Sequence, residues 1–148
     1  MPEQSPTQLI NDWATNAEKA TQQNAKAIAT AIANLYANNA VLCATEGIIT
    51  EQSNILADYQ GYFENGWVLT GITPNQPSIN QISQNWAWAV GQWKGSALSN
   101  PQDPNSRFPL AGCWSILFNN QPPSNNPNQA NWLIQEHTIV TNPPSQTQ

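Results

Sequence analysis

Asn85-Trp86-Ala87-Trp88-Ala89-Val90-Gly91-Gln92-Trp93-Lys94-Gly95-Ser96-Ala97-Leu98 is the stretch that decides the fold. Side chains alternate across an extended strand. Trp86, Trp88, Val90, Gln92 and Lys94 therefore share one face, and Ala87, Ala89, Gly91, Trp93 and Gly95 share the other. One face is large and the other small, and a small face lets another element or a ligand come close. Two later segments, Ala111 to Phe118 and Trp132 to Val140, have the same character. Three strands in a row, preceded by helices, predict an α+β domain. Its curved antiparallel sheet would have helices on one side.

Upstream, Ser5-Pro6 or Thr7 can start a helix, with Pro6 tolerated in its first turn. Leu9, Ile10, Trp13 and Ala17 give it an apolar stripe. A short break at Thr21 to Asn24 ends in a potential N-cap, Asn24. From Ala25, the residues Ile28, Ile32, Leu35 and Tyr36 recur at helical steps, and Asn38-Asn39 predicts the end of that helix. Ala40 to Ala44 reads as a short strand. Thr50 or Ser53 caps a third helix with Ile55, Leu56, Tyr59, Tyr62 and Phe63 on its buried stripe, stopped by Asn65-Gly66. Trp67 to Thr73 reads as another strand, with Ser78 to Gln84 as a possible return. Proline-rich polar loops at 100–106 and 121–128 join the last three strands. The ends, 1–6 and from Asn142 onward, are expected to be frayed. The whole chain is expected to be one domain over 1–148, with its core in about residues 8 to 140.

Charge is the unusual feature of the composition. Lys and Arg number four, Asp and Glu nine, and charged residues are only 9% of the 148. An average chain carries about a quarter. Asn and Gln take over the solvating role. A net charge of −5 with four scattered cations excludes a phosphate-binding surface, so no nucleic acid is expected as partner. No apolar run reaches membrane-spanning length, and Met1 to Pro6 does not read as a signal peptide. An amide-rich surface that keeps its charge across pH suits an acidic or extracytoplasmic setting, and the compartment is either the cytoplasm or, behind a removed signal, extracytoplasmic. Cys43 and Cys113 are expected to be two buried free thiols rather than a bridge.

Leu35-Tyr36-Ala37-Asn38-Asn39-Ala40-Val41-Leu42, the helix containing Ile55 to Tyr59, the Val90-Gly91-Gln92-Trp93 strand and the closing Trp132-Leu133-Ile134-Gln135-Glu136-His137-Thr138 together resemble the nuclear transport factor two-like superfamily. The nearest branches are SnoaL-like proteins and the association domain of calcium/calmodulin-dependent protein kinase II. The resemblance implies a cone, with a bent sheet wrapped on helices, a pocket at the open end and dimers formed through the outer sheet face. It does not assign an activity, because the family spans isomerases, cyclases, dehydratases, hydrolases and non-catalytic modules. The family phrase usually ends in Asp where this chain has Asn39. The carboxylate and tyrosine set of the steroid isomerase branch has no matching positions here.

His137 is the only histidine, and its side chain has an unperturbed pKa near neutrality. It is the candidate proton carrier for an isomerase, dehydratase or cyclase step without a cofactor. Asp58 is the second candidate base, although it lies off the apolar stripe of its helix. Glu136 has the opposite strand parity to His137, so only one of the two can face the pocket. Trp13, Tyr36, Tyr59, Trp88 and Gln92 are the candidate ligand contacts in the cone. No metal is expected, since a lone His has only carboxylates for company. No Ser-His-Asp order, phosphate loop or dinucleotide fingerprint is present. Two functions compete: small-ligand binding with or without acid–base chemistry, and a non-catalytic dimerisation or assembly module.

Overall fold

In the computed structural model, residues 4–143 are described. Helix α1 spans Pro6–Glu18 and α2 spans Ala25–Ala33. Strand β1 (Tyr36–Ala44) and strand β2 (Gly47–Thr50) form a hairpin, followed by α3 (Gln52–Glu64). Strands β3 (Val68–Thr73), β4 (Asn80–Gln81), β5 (Trp86–Leu98), β6 (Arg107–Asn120) and β7 (Trp132–Thr141) complete the chain. The sheet order is β2-β1-β7-β6-β5-β3, with β4 paired to β5. Every pairing is antiparallel except the parallel one between β1 and β7. This is the α+β curved sheet on N-terminal helices that the sequence predicts.

Within the expected frayed region, Ser5 and Pro6 are well ordered. Ser5 and Gln8 form a reciprocal capping box, with Gln8 N donating to Ser5 Oγ at 3.2 Å and Ser5 N to Gln8 Oε1 at 2.9 Å. Two orphan amides are thereby satisfied. Residues 1–3 and 144–148, where the rest of the expected fraying falls, lie outside the described residues.

The second helix ends earlier than its periodicity predicts. It stops at Ala33, and Tyr36 already belongs to β1, opposite Ile134 of β7. The Ile134 amide donates to the Leu35 carbonyl at 2.9 Å. Pairing with a strand almost a hundred residues away overrides the helical spacing of Leu35 and Tyr36. The register then shifts before Val41, and Asn38 and Asn39 sit exposed at that irregularity. Strand β2 falls where the sequence pattern predicts no element. It pairs along β1 from Val41↔Thr50 to Ala44↔Gly47. Ser78–Gln84 contributes only Asn80 and Gln81, paired to β5 instead of β3. Asn65 caps α3 as expected, and Gly66 has φ +87°, a conformation glycine adopts freely.

The parity of β5 is as predicted, and the small face turns inward. Ala87, Ala89 and Trp93 are buried, while Trp86, Trp88, Val90 and Gln92 are exposed. Glycine explains how the small face is filled. A Cβ on Gly91 would lie 2.6 Å from the Trp114 ring, and one on Gly112 would lie 2.7 Å from Trp93 Nε1. Each glycine thus makes room for an indole on the neighbouring strand. Trp93 Nε1 donates to the Val140 carbonyl at 3.2 Å and Trp114 Nε1 to the Gln92 carbonyl at 3.3 Å. The two cysteines are free, as expected, but not buried: Cys113 is exposed and Cys43 half-buried. Both lie on the outer sheet face, where alternation places them opposite their inward neighbours Leu42 and Trp114.

Candidate functional site

The interior is dominated by apolar side chains, and four polar aromatic ones meet within it. Trp13 comes from the α1 stripe, Tyr36 from the first position of β1, Tyr59 from the centre of the α3 stripe and His137 from β7. All four are at most 2% exposed. Trp13 Nε1 donates to Tyr59 Oη at 2.9 Å. The two phenol oxygens are 2.7 Å apart, and Tyr36 Oη lies 2.6 Å from His137 Nδ1. The indole of Trp13 meets the imidazole edge-on at 5.3 Å. Buried polar groups persist when they satisfy one another, and this chain does so except at one end. His137 Nε2 is sealed from solvent and has no partner.

Burial sets the charge states here. It lowers the His137 pKa to about 3, so the imidazole is neutral at any ordinary pH. Burial raises Tyr36 well above the usual phenol value, with Tyr59 adding to the effect. Tyr59 is raised as well, again by burial, against the pull of its hydrogen bonds from Tyr36 and Trp13.

Beside this chain lies a cavity of about 180 Å³. Tyr59 and Tyr62 of α3 form one wall, and Leu42, Ala44 and Thr45 of the first hairpin another. Trp67, Trp93, Leu98, Leu110 and Ile139 complete the largely apolar lining, with Asn65 and Thr141 as polar additions. Tyr59 is therefore the one member of the aromatic chain in the cavity wall. Neither His137 nor Asp58 is among the described residues that line it.

Asp58 lies on α3 one turn before Tyr62, which lines the cavity. The α3 stripe is Ile55, Tyr59 and Phe63, and Asp58 and Tyr62 flank it. Asp58 is half-buried, and its Oδ2 finds no donor. Burial, then the neighbouring Glu46 carboxyl, raise its pKa from 3.8 to about 6. Tyr62 is raised chiefly by burial, with the nearby Glu46 carboxyl adding to the effect. Glu46 is the residue that sequence reasoning missed. It stands on a hairpin turn and belongs to no periodic pattern, so no local signal marks it.

Of the five expected ligand contacts, Trp13, Tyr36 and Tyr59 come together inside, although only Tyr59 reaches the cavity wall. Trp88 and Gln92 do not join them. Both lie on the outer sheet face, Trp88 40% exposed, because the small face of β5 took the inward position. Glu136 is exposed, with parity opposite to His137 as expected.

Solved structures of the same shape are numerous. A calcium/calmodulin-dependent protein kinase II association-domain-like protein of Xanthomonas campestris aligns at TM-score 0.65 and 14% identity, covering 93% of this chain and 85% of that one. A nuclear transport factor two-like superfamily protein of Salmonella enterica aligns at 0.63 and 18%, covering 96% and 90%. A ketosteroid isomerase-like protein of Erwinia carotovora aligns at 0.60 and 15%, covering 88% and 95%. The chain has the nuclear transport factor two-like, cystatin-like fold. At these identities the likeness is one of fold. Neither family models nor curated protein sequences give a match.

Proposed function

We propose that the protein binds a small, largely apolar molecule bearing an oxygen acceptor, with Tyr59 donating to that oxygen. The observation that carries this reading is a single phenol from a buried polar chain in the wall of an apolar cavity. The chain can be polarised in two directions. In one, Tyr59 donates to Tyr36, Tyr36 donates to Nδ1, and the imidazole proton is stranded on Nε2. In the other, Nδ1–H donates to Tyr36, Tyr36 to Tyr59, and the Tyr59 proton is released to the cavity. An unpartnered buried donor costs about 1–3 kcal/mol. Nε2 is unpartnered in either direction, as an N–H donor in the first and as a bare acceptor in the second; only the second also leaves Tyr59 a hydroxyl proton for a ligand oxygen to accept. His137 in this reading orients the phenols as a neutral imidazole. The proton-carrier role expected of it gains no support from a pKa of about 3.

Cyclohexanone and methylenecyclohexane test the proposal, since they share a shape and differ in the acceptor. The wild type is expected to prefer the ketone about three- to tenfold, the range of one net hydrogen bond. Tyr59→Phe should abolish the preference, as measured by NMR titration. An unchanged preference in the variant removes Tyr59 from ligand recognition.

A second reading rests on the outer sheet face, where Trp86, Trp88, Val90 and Val140 are each at least 38% exposed. Clustered apolar groups of this kind mark interfaces, and we propose a homodimer formed through this face. Light scattering should give about twice the 16.2 kDa chain mass. A monomer that persists at micromolar concentration overturns this second reading.

A further inference from the structure

We infer that the tautomer of His137 sets the polarity of the hydrogen bond that Tyr59 offers the cavity, so that the site holds ring N–H donors as well as carbonyl acceptors. This rests on the ligand reading above and extends it from acceptors to donors.

The proton count along the buried chain decides the matter. A phenol oxygen has one proton to give and two lone pairs to fill, and a neutral imidazole has one protonated and one bare nitrogen. An indole N–H only donates, so the 2.9 Å bond from Trp13 Nε1 always fills one Tyr59 lone pair. Tyr36 Oη stands between Tyr59 Oη at 2.7 Å and His137 Nδ1 at 2.6 Å. Its single proton serves one of those neighbours, and the other neighbour then serves it. With Nε2 protonated, Nδ1 is bare and takes the Tyr36 proton. Tyr59 gives its own proton to Tyr36 and has only a lone pair left for the cavity. With Nδ1 protonated, Tyr36 gives its proton to Tyr59. Both Tyr59 lone pairs are then filled, and its proton is what remains for the cavity. Through Tyr36, His137 thus fixes whether Tyr59 gives or takes.

Both states lie within reach. The four side chains are at most 2% exposed, which shields each link from solvent. Nε2 has no partner, so no protein group there selects one tautomer. Burial keeps the imidazole neutral, which leaves tautomers rather than charge states as the choice. Passing between them takes one proton off Nε2 and puts one on Nδ1, by exchange with water when the core opens. The two hydroxyls turn, and no charge is gained or lost. Leu42, Trp93 and Ile139 make the wall around Tyr59 largely apolar. A mismatched polar group is costly in such surroundings, and the tautomer exchange removes the mismatch.

The test is NMR of the full chain at about pH 7, where the imidazole is neutral, with isotope-labelled histidine. A single histidine makes the two ring nitrogens unambiguous, and proton–nitrogen correlations show which of them carries the proton. Cyclohexanone, which only accepts, and pyrrole, whose N–H only donates, are the probes. The ratio of Nδ1–H to Nε2–H should be at least about threefold higher with cyclohexanone than with pyrrole, within the range of one net hydrogen bond. Methylenecyclohexane, which has no polar group, should leave the ratio of the free protein unchanged. Tyr36→Phe cuts the link, so its ratio should not distinguish the polar probes. Equal ratios in the wild type with both probes bound overturn the inference, as does a difference that survives in Tyr36→Phe, or a pyrrole that does not bind. In each of those cases a retained preference for cyclohexanone over methylenecyclohexane keeps the ligand reading standing. Loss of that preference overturns the ligand reading and this inference with it.

Discussion

His137 and Asp58 are both uncharged in the fold near pH 5, and they reach that state from opposite sides. His137 is wholly buried against a phenol, and burial takes its proton away, lowering the pKa to about 3. Asp58 is half-buried against another carboxyl, and burial with that neighbour makes it keep its proton to about pH 6. The sealed core thus holds a neutral base, and the half-buried flank of α3 holds a neutral acid. With so few charged residues, this chain has no cation near either group to stabilise an ionised form. Each group instead settles into its neutral state, as desolvation dictates.

The two groups make opposite contributions to stability. The unfolded His137 has a pKa of about 6.5. Between there and about 3 the unfolded chain binds the extra proton, so stability falls as pH falls. For Asp58 the folded chain holds the extra proton between about 4 and 6, so stability falls as pH rises. The windows overlap and the slopes partly cancel. The melting temperature of the wild type is therefore expected to vary little between about pH 4 and 6.

Removing one member should break that balance. The largest effect is expected for Asp58→Asn, which leaves the His137 slope unopposed. Its stability should fall by on the order of a few kcal/mol from about pH 6.5 to 3.5. Urea denaturation at several pH values measures this; a flat profile in the variant would sink the His137 assignment, and one parallel to the wild type would sink that of Asp58. Next is Tyr36→Phe, which strips Nδ1 and Tyr59 of their shared hydroxyl. It should cost about 1–3 kcal/mol at pH 7, because buried groups are left unpaired. A cost near zero would mean that the phenol chain contributes nothing. The third is His137→Gln, in which the Asp58 slope stands alone. Stability should then decline modestly as pH rises from about 4 to 6, the reverse of Asp58→Asn. The smallest is Glu46→Gln at neutral pH. Replacing a repulsive carboxyl pair with an amide donor should stabilise by roughly 0.2–1 kcal/mol, the scale of exposed electrostatic pairs. A destabilised variant would show that the two carboxyls are not in conflict.

How much of this could be read beforehand depends on how locally each residue is determined. The α3 stripe of Ile55, Tyr59 and Phe63 follows from helical spacing alone, and it placed Tyr59 indoors correctly. The same stripe argument placed Asp58 on a solvated face. It lies on the flank instead, half-covered, because its partner Glu46 arrives on a different element. Tyr36 was read on a helix because its spacing from Ile32 fits one. Its pairing with β7 is a long-range hydrogen-bonding choice that no window of a few turns contains. The aromatic chain joins residues separated by 46, 23 and 101 positions. Each was a plausible interior residue by itself, and none announced its neighbours.

By itself the sequence determined the alternation along β5, the capped start of α1, the stripe of α3 and the absence of any cationic surface. These depend on chain periodicity and composition, which are local. Only the tertiary structure decided which face of β5 turned inward. Gly91 and Gly112 sit opposite Trp114 and Trp93 across the β5–β6 pairing, so the indoles fill the space above them. That packing put the small face inside and left Trp88 and Gln92 outside. The pairing of β1 with β7 likewise brought Tyr36 to His137, and the β1–β2 turn brought Glu46 to Asp58. Contacts between residues far apart in the chain depend on how whole elements pack, and packing is a property of all of them together.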